Sequence, residues 1–386
     1  MIKKKLRVAL FVPWIKSKGG IERTILALLK GSRHDIDVYT LSFNQSLTFD
    51  EYKRFKITDY GKKVRRSLIL RGALFLKDSR SANIDLSRYD ALVISTAGIS
   101  ELILLNRDVS KIVTIAMTHT PLRIAHNMYD YYKKQSLAYK IELPLFVSVY
   151  RLLERAAWKK VDFAFVHSEE VKKRLLATGL IDASHILKDR PHINYTRVSR
   201  SKTTKKFLLY NSRYIDYKRQ DLAISAFKAS SLKSRGFKLV LSGFAEDEGY
   251  FERIKELSAG DNSVIVMKNI DDKMVSRLYR ECYATLFLAF NEDTGFVPLE
   301  SLAYGKPVIC INEGGPREFI KNGTNGLLVN DDPDSIASAM EKVLDKRLYK
   351  RLVAGALKSP RYDDAKFITL FDKNLDTAVR RGKRRA

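Results

Sequence analysis

Along the first 170 residues, short runs rich in β-branched side chains alternate with stretches whose apolar positions recur every three to four residues. That is the pattern of parallel strands joined by crossover helices. The runs Arg7 to Val12, Asp35 to Leu41, Ala91 to Ser95, Ile112 to Met117 and Phe163 to Val166 predict strands. Behind the first, Gly19 and Gly20 stand at a strand-to-helix turn, and Ile21, Ile25, Leu28 and Leu29 follow at helical spacing. Residues 188–206 are polar and basic and contain Pro191, so they read as an interdomain linker. A second alternation starts at Phe207, with strands predicted at Phe207 to Asn211, Lys238 to Ser242, Val264 to Met267, Ala284 to Ala289, Val308 to Ile311 and Gly326 to Val329. From Asp364 the chain reads as a helix that frays into a basic tail. The fold class is therefore α/β, with two doubly wound units, and 386 residues suffice for two cores.

Composition narrows the class without changing it. With 45% hydrophobic and 30% charged residues and only 9 prolines, the chain is globular rather than disordered or fibrous. Cys282 and Cys310 lie in separate apolar segments with no metal-ligand spacing, which predicts two buried, reduced thiols and a reducing compartment. The basic N-terminus precedes an apolar run too short for a secretory signal. The longest apolar candidate, around Leu143 to Leu153, is broken by Pro144 and Arg151 and falls short of the roughly 20 residues of a spanning helix. A cytoplasmic protein, peripheral to the membrane at most, is the expectation.

Charge adds a class of partner. Lysine and arginine number 70 against 44 aspartates and glutamates, giving +26 and a pI near 9.8, which calls for polyanionic surroundings: a nucleotide, a nucleic acid or an anionic membrane. No nucleic-acid reading module stands out, so nucleic acid is not expected. Lys62 to Lys77 combines six cations with a dense apolar set interrupted by Gly72, the composition of a helix or helix-loop on an anionic lipid surface. An ordinary amphipathic element packed on the sheet fits the same residues.

Candidate chemistry concentrates between Asn291 and Ile309, which reads as strand end, acidic loop, short helix opened near Pro298 and closed at Gly305, then strand. Glu292 falls at the carboxyl end of a strand, where ligands of open α/β sheets bind. The amides of Thr294, Gly295 and Phe296 at a helix N-terminus can donate to phosphate or sugar oxygens. Glu300, in the first helical turn, can accept from a diol such as ribose. Two glutamates eight apart are otherwise a solvated face.

This stretch, continued by Asn312-Glu313-Gly314-Gly315-Pro316-Arg317-Glu318 and by Gly323 to Val329, closely resembles the donor-site signature of retaining glycosyltransferases of GT-B family 4, with Glu292 and Glu300 at its E-x7-E spacing. Tyr210 to Asp221 resembles the family segment whose arginine and lysine bind the donor diphosphate, roles that Arg213 and Lys218 carry over. Two cations after a strand would offset departing charge. Leu239 to Gly243 resembles the strand whose glycine admits the nucleotide, and Gly19 and Gly20 the N-terminal glycine pair set against the donor phosphates. Thr118-His119-Thr120-Pro121-Leu122-Arg123 resembles an H-T-P-x-R segment frequent in mannosyltransferases; it implies His119 beside the reacting sugar and Arg123, with Ser168 after another strand, on the acceptor side.

The resemblance implies two Rossmann-like domains facing a central cleft: residues 1–195 for the acceptor, 205–360 for the donor, and a helix in 361–386 returning to the first. It implies metal-independent transfer of a hexose, such as mannose or glucose, from a GDP- or UDP-sugar to a glycan or lipid-linked acceptor, without a cofactor. Glu292 would orient the sugar and Glu300 the ribose. Asp332 to Asp334 reads as a surface loop, not a metal motif. The pattern departs at Ser212, at Arg219 where a Lys-Gly pair is usual, and at Thr294 where an aromatic is common. The alternative is a catalytically silent GT-B-like protein that binds anionic lipid or nucleic acid.

Overall fold

The computed structural model describes residues 4–62, 75–80, 82–193 and 204–382. Residues 63–74 of the basic, apolar stretch, 194–203 of the linker and 383–386 of the tail lie outside the described residues. The chain forms two compact units, Met1–Pro191 with Asp364–Ala386, and His192–Asp363.

The first unit is built on a seven-stranded parallel sheet of order β5-β3-β1-β6-β7-β8-β9. Its strands are β1 (Arg7–Phe11), β3 (Asp35–Thr40), β5 (Ile57–Asp59), β6 (Ala91–Thr96), β7 (Val113–Thr118), β8 (Phe163–Val166) and β9 (Ile186–Lys188), while β2 (Trp14–Ile15) and β4 (Ser42–Phe43) pair separately. Alternate residues of β1 enter opposite cores: Val8 and Leu10 join Ile25 and Leu28 of α1 (Gly20–Gly31), whereas Ala9 and Phe11 join Leu143 and Val147. Strands buried on both faces exclude charge, which is why β6 and β7 hold only apolar residues, serine and threonine. On this second face lie α2 (Tyr129–Gln135) and α3 (Leu137–Trp158); α4 (Glu169–Ala177) follows β8. The helix α3 continues through Pro144. The terminal helix Asp364–Gly382 returns to the α1 face, where Phe367, Phe371 and Leu375 are buried and Asp372 accepts from Ser32 Oγ and Arg33 N at 2.6 and 3.1 Å.

The second unit holds six parallel strands in the order β12-β11-β10-β13-β14-β15. They are β10 (Phe207–Asn211), β11 (Lys238–Gly243), β12 (Val264–Lys268), β13 (Ala284–Phe287), β14 (Val308–Ile311) and β15 (Gly326–Val329). Helices α5 (Gln220–Ala229), α6 (Glu248–Ser258), α7 (Asp272–Glu281), α8 (Phe296–Ala303), α9 (Pro333–Lys342) and α10 (Lys346–Lys358) connect or follow them. Asp247, Asp271, Asp332 and Asp345 each cap a helix by accepting from the N–H three residues on. Asp332 is thus an N-cap and Asp334 lies in the first turn of α9, not in a surface loop. Cys282 and Cys310 are buried free thiols, and burial pushes Cys282 up to about 12.

Candidate donor site at a strand-order reversal

In the second unit the chain winds outward from β10 to β12 and then returns, placing β13 against the other edge of β10. Such a reversal leaves a crevice beyond the carboxyl ends of the two strands, because their following loops diverge to opposite sides. The loop after β10 carries Arg213 and Lys218; the loop after β13 carries Glu292. Lys218 Nζ forms an ion pair with Glu292 Oε2, so the structure joins two residues 74 apart in sequence. Lys218 also lies 5.4 Å from the centroid of the Phe287 ring.

Buried hydroxyls and backbone hold these loops. Tyr210, fully buried, donates to the carbonyl of Lys218 and accepts from Leu288 N at 3.1 Å, pinning both loops to one side chain. Phe290 N donates to Tyr217 O at 2.8 Å. Arg213 pairs with Glu246 and donates to Tyr217 Oη at 3.3 Å. Its partner carboxylate is half-exposed, so the guanidinium can exchange it for a phosphate at small cost.

The glycines explain themselves by what surrounds them. A Cβ on Gly315 would sit 2.1 Å from the Asp293 carbonyl, and one on Gly314, at φ +65°, 2.4 Å from that of Glu292. Gly315 N donates to Glu292 O at 3.0 Å, and Asn291 N to Glu313 Oε1 at 2.6 Å. The acidic loop and the following Glu-Gly-Gly turn are therefore interlocked, which fixes Glu292. A Cβ on Gly243 would lie 1.9 Å from the Ser212 carbonyl, so this glycine admits the neighbouring loop rather than open space for a ligand.

Gly295, at φ +83°, is the N-cap of α8, which starts at Phe296, two residues before Pro298. Glu300 therefore sits two residues deeper in the helix than its sequence position suggested. Gly295 has no side chain to cap with, and Pro298 lacks an N–H, so Phe296 and Val297 present the open amides of the first turn. Thr294 is buried, and the Phe296 ring packs on Leu299 and Phe319. Glu300 Oε2 accepts from Tyr279 Oη at 3.0 Å; burial and then the Glu300 charge raise the Tyr279 pKa well above the usual tyrosine range, so the hydroxyl stays a donor. Tyr279 stacks on Tyr304 with ring centroids 5.2 Å apart, and Asn211 and Ser242 extend the chain of polar contacts behind it. Sequence reasoning missed Tyr279, whose one signal was an aromatic on the buried face of a helix.

The predicted residues of the first unit form a second group. His119 follows β7, its Nε2 lies 2.9 Å from Ser95 Oγ at the end of β6, and its ring lies 5.3 Å from that of the buried His167. Arg123 begins a 3-10 turn three residues after Thr120. Ser168 is fully buried and caps α4 by accepting from Val171 N at 3.1 Å, which gives it a structural task. Gly19 is the N-cap of α1, again without a side-chain cap; the buried Glu22 carboxylate accepts instead from Ser17 N and Oγ at 3.2 and 2.7 Å.

Known proteins resemble the chain in sequence and in fold. The family model described as glycosyl transferases group 1 matches residues 193–358. The chain is 29% identical over 199 residues to the alpha-1,3/1,6-mannosyltransferase ALG2 of Dictyostelium discoideum, covering 46% of each protein. It is 31% identical over 154 residues to the human ALG2, covering 36% of this chain and 37% of that one. The chain thus spans less than half the length of these curated relatives. Among solved structures, Anabaena HepE in complex with UDP superposes with a TM-score of 0.73 at 13% identity, over 97% of this chain and all of that one. WaaG, a glycosyltransferase involved in lipopolysaccharide biosynthesis, gives 0.67 at 16% identity over 96% of this chain and 98% of its own. The chain accordingly has the GT-B fold, and residues 193–358, nearly the whole of its second unit, match the model of the glycosyl transferases group 1 family.

Proposed function

We propose that this protein is a retaining, metal-independent hexosyltransferase that uses a GDP- or UDP-sugar and acts on a glycan or lipid-linked acceptor at the cytoplasmic face of a membrane. The observation that carries the reading is the Lys218–Glu292 ion pair at the β10/β13 reversal, flanked by Arg213 and the uncapped N-terminus of α8. The diphosphate of the donor displaces carboxylates from Lys218 and Arg213 and takes hydrogen bonds from the α8 amides. Glu292, released from Lys218, accepts from hydroxyls of the sugar, and Glu300 from the ribose. The bond from the anomeric carbon to the diphosphate oxygen breaks as the acceptor oxygen bonds that carbon on the same face. The acceptor proton passes to the departing phosphate. Fixed cations and amides stabilise the leaving charge in the place a metal would fill. On the first unit, His119 and Arg123 serve sugar and acceptor hydroxyls, and the turn at Gly19 and Gly20 gives backbone donors.

The names of the relatives and the UDP held by the HepE structure support a nucleotide-sugar donor. A silent lipid- or nucleic-acid-binding protein has no need of Lys218 and Glu292 in that crevice. The test is transfer by the full chain with a panel of GDP- and UDP-hexoses in excess EDTA, with product configuration read by NMR. Product should retain the anomeric configuration of the donor, and Lys218→Ala should lower kcat by about 100-fold or more with the fold intact. An inverted product, loss of activity in EDTA, or full turnover by a folded Glu292→Ala, Lys218→Ala double variant would each overturn the proposal.

A further inference from the structure

Ten large apolar side chains are exposed among the described residues, and five of them lie on α3: Leu137, Ile141, Leu145, Val149 and Leu152, each between 51% and 73% exposed. Single exposed apolar residues are ordinary, but these recur at intervals of three and four and so form one stripe. At 3.6 residues per turn they share an arc of about 120°, opposite the buried Leu143, Val147, Tyr150 and Trp158. The stripe is about 22 Å long at 1.5 Å per residue. Lys140 and Arg155 border it on one side, with Lys134 and Lys159 beyond its two ends, all exposed. The exposed acids of α2 and α3 are Asp130 and Glu142. No helix among the described residues is long and apolar enough to cross a membrane, so this one is suited to lie on a bilayer.

We infer that α3 seats the protein on an anionic lipid surface, its apolar stripe at the acyl boundary and Lys140 and Arg155 among the headgroup phosphates. Charge decides between lipid and a second copy of the chain. An antiparallel two-fold pairing of this face would bring its Lys140 and Arg155 border against itself in a protein of net charge +26, whereas anionic headgroups neutralise that border. The inference deepens the lipid-linked acceptor reading but rests on the surface alone. Its test needs no sugar donor, so failure of one is distinguishable from failure of the other.

The full chain is co-sedimented with phosphatidylcholine vesicles and with vesicles one-third phosphatidylglycerol, as wild type and as the Ile141→Glu, Leu145→Glu double variant, whose melting should match wild type because both positions are exposed. Wild type should bind the anionic vesicles, less so at high salt, and the double variant should bind at least tenfold more weakly. In a separate Leu145→Trp variant, tryptophan emission should shift to the blue on anionic vesicles and be quenched by brominated acyl chains. Equal binding by the double variant, no binding by wild type, or an unmoved Leu145→Trp emission overturns the inference. So does a wild-type dimer by light scattering that the double variant dissolves, which would assign the face to a second copy.

Discussion

Arg219 holds a left-handed backbone conformation, φ 55° and ψ 47°, at the N-terminus of α5. This is where the resembling family has glycine, and the structure gives the reason: the chain must reverse between Lys218 and the helix behind it. A side chain there costs about 1–2 kcal/mol. Arg219 offsets the cost locally, because its guanidinium pairs with Asp331 at 2.6 Å and lies 4.7 Å from the centroid of the Phe290 ring, each worth about 0.5–1 kcal/mol. Arg219→Gly should therefore change stability by less than about 1 kcal/mol, whereas Arg219→Ala, which keeps the strain and loses both contacts, should cost about 1–2 kcal/mol. Urea unfolding of the two variants checks the order; an alanine variant as stable as the glycine one would show that the backbone is unstrained. Gly243 carries a companion lesson. Its place at a strand end was legible, but its purpose was not, since only coordinates reveal the Ser212 carbonyl packed against it.

At the scale of elements, α3 is held from below by a buried carboxylate pair. The Tyr150 hydroxyl lies 2.9 Å from Glu101 Oε1 and 3.0 Å from Glu154 Oε1; having one proton, it can donate to only one of them, and the other contact needs a proton from a carboxyl. Glu101 supplies it, since burial and then the Glu154 charge raise its pKa, while Thr96 Oγ1 and Ile99 N donate to it and His126 Nε2 lies 2.8 Å from Glu154. A folded carboxyl with a raised pKa binds its proton where the unfolded one has released it, so stability is greatest below about pH 4 and falls as pH rises toward the folded pKa. Glu101→Gln keeps a neutral donor and acceptor but does not titrate. The unfolding free energy of wild type relative to Glu101→Gln should then fall as pH rises above the ordinary carboxylate range, by up to about 1.4 kcal/mol per unit, and a constant difference would place the proton elsewhere. None of this network was legible in the sequence, because Glu101 and Glu154 look like ordinary helix-surface acids until the sheet closes over them. Strands of four residues or more were legible: β8, β10, β14 and β15 fall where their apolar runs predict. The two- and three-residue strands β2, β4, β5 and β9 were not, being too short to show a period. Likewise Glu292 and Lys218 were legible as types near strand ends, but their pairing depends on the β10/β13 adjacency that only the sheet order supplies.

At the scale of the molecule, the two units differ in how the chain closes them. The second is continuous, His192–Asp363, whereas the first is completed by the terminal segment from Asp364 onward. That helix fills the first unit's core with Phe367, Phe371 and Leu375, each no more than 1% exposed, and its Asn374 donates to the Lys188 carbonyl at 3.0 Å. At about 1.5–3 kcal/mol for each such side chain, the three contribute about 5–9 kcal/mol, comparable to the whole stability of many domains. Removal of residues 364–386 should therefore unfold the first unit while leaving the second, whose core is made within residues 207–356. Circular dichroism of the truncated chain should show loss of about half of the native signal. Limited proteolysis should leave a resistant fragment close to residues 192–363, and UDP or GDP should still raise that fragment's melting temperature, because Arg213, Lys218, Glu292 and Glu300 all lie within it. Phe371→Ala in the full chain is the graded version, with an expected cost of about 3–5 kcal/mol confined to the first unit's transition. If truncation melted both units together, the second would depend on the first for its fold, and the proposed donor crevice could not be treated as the property of one domain.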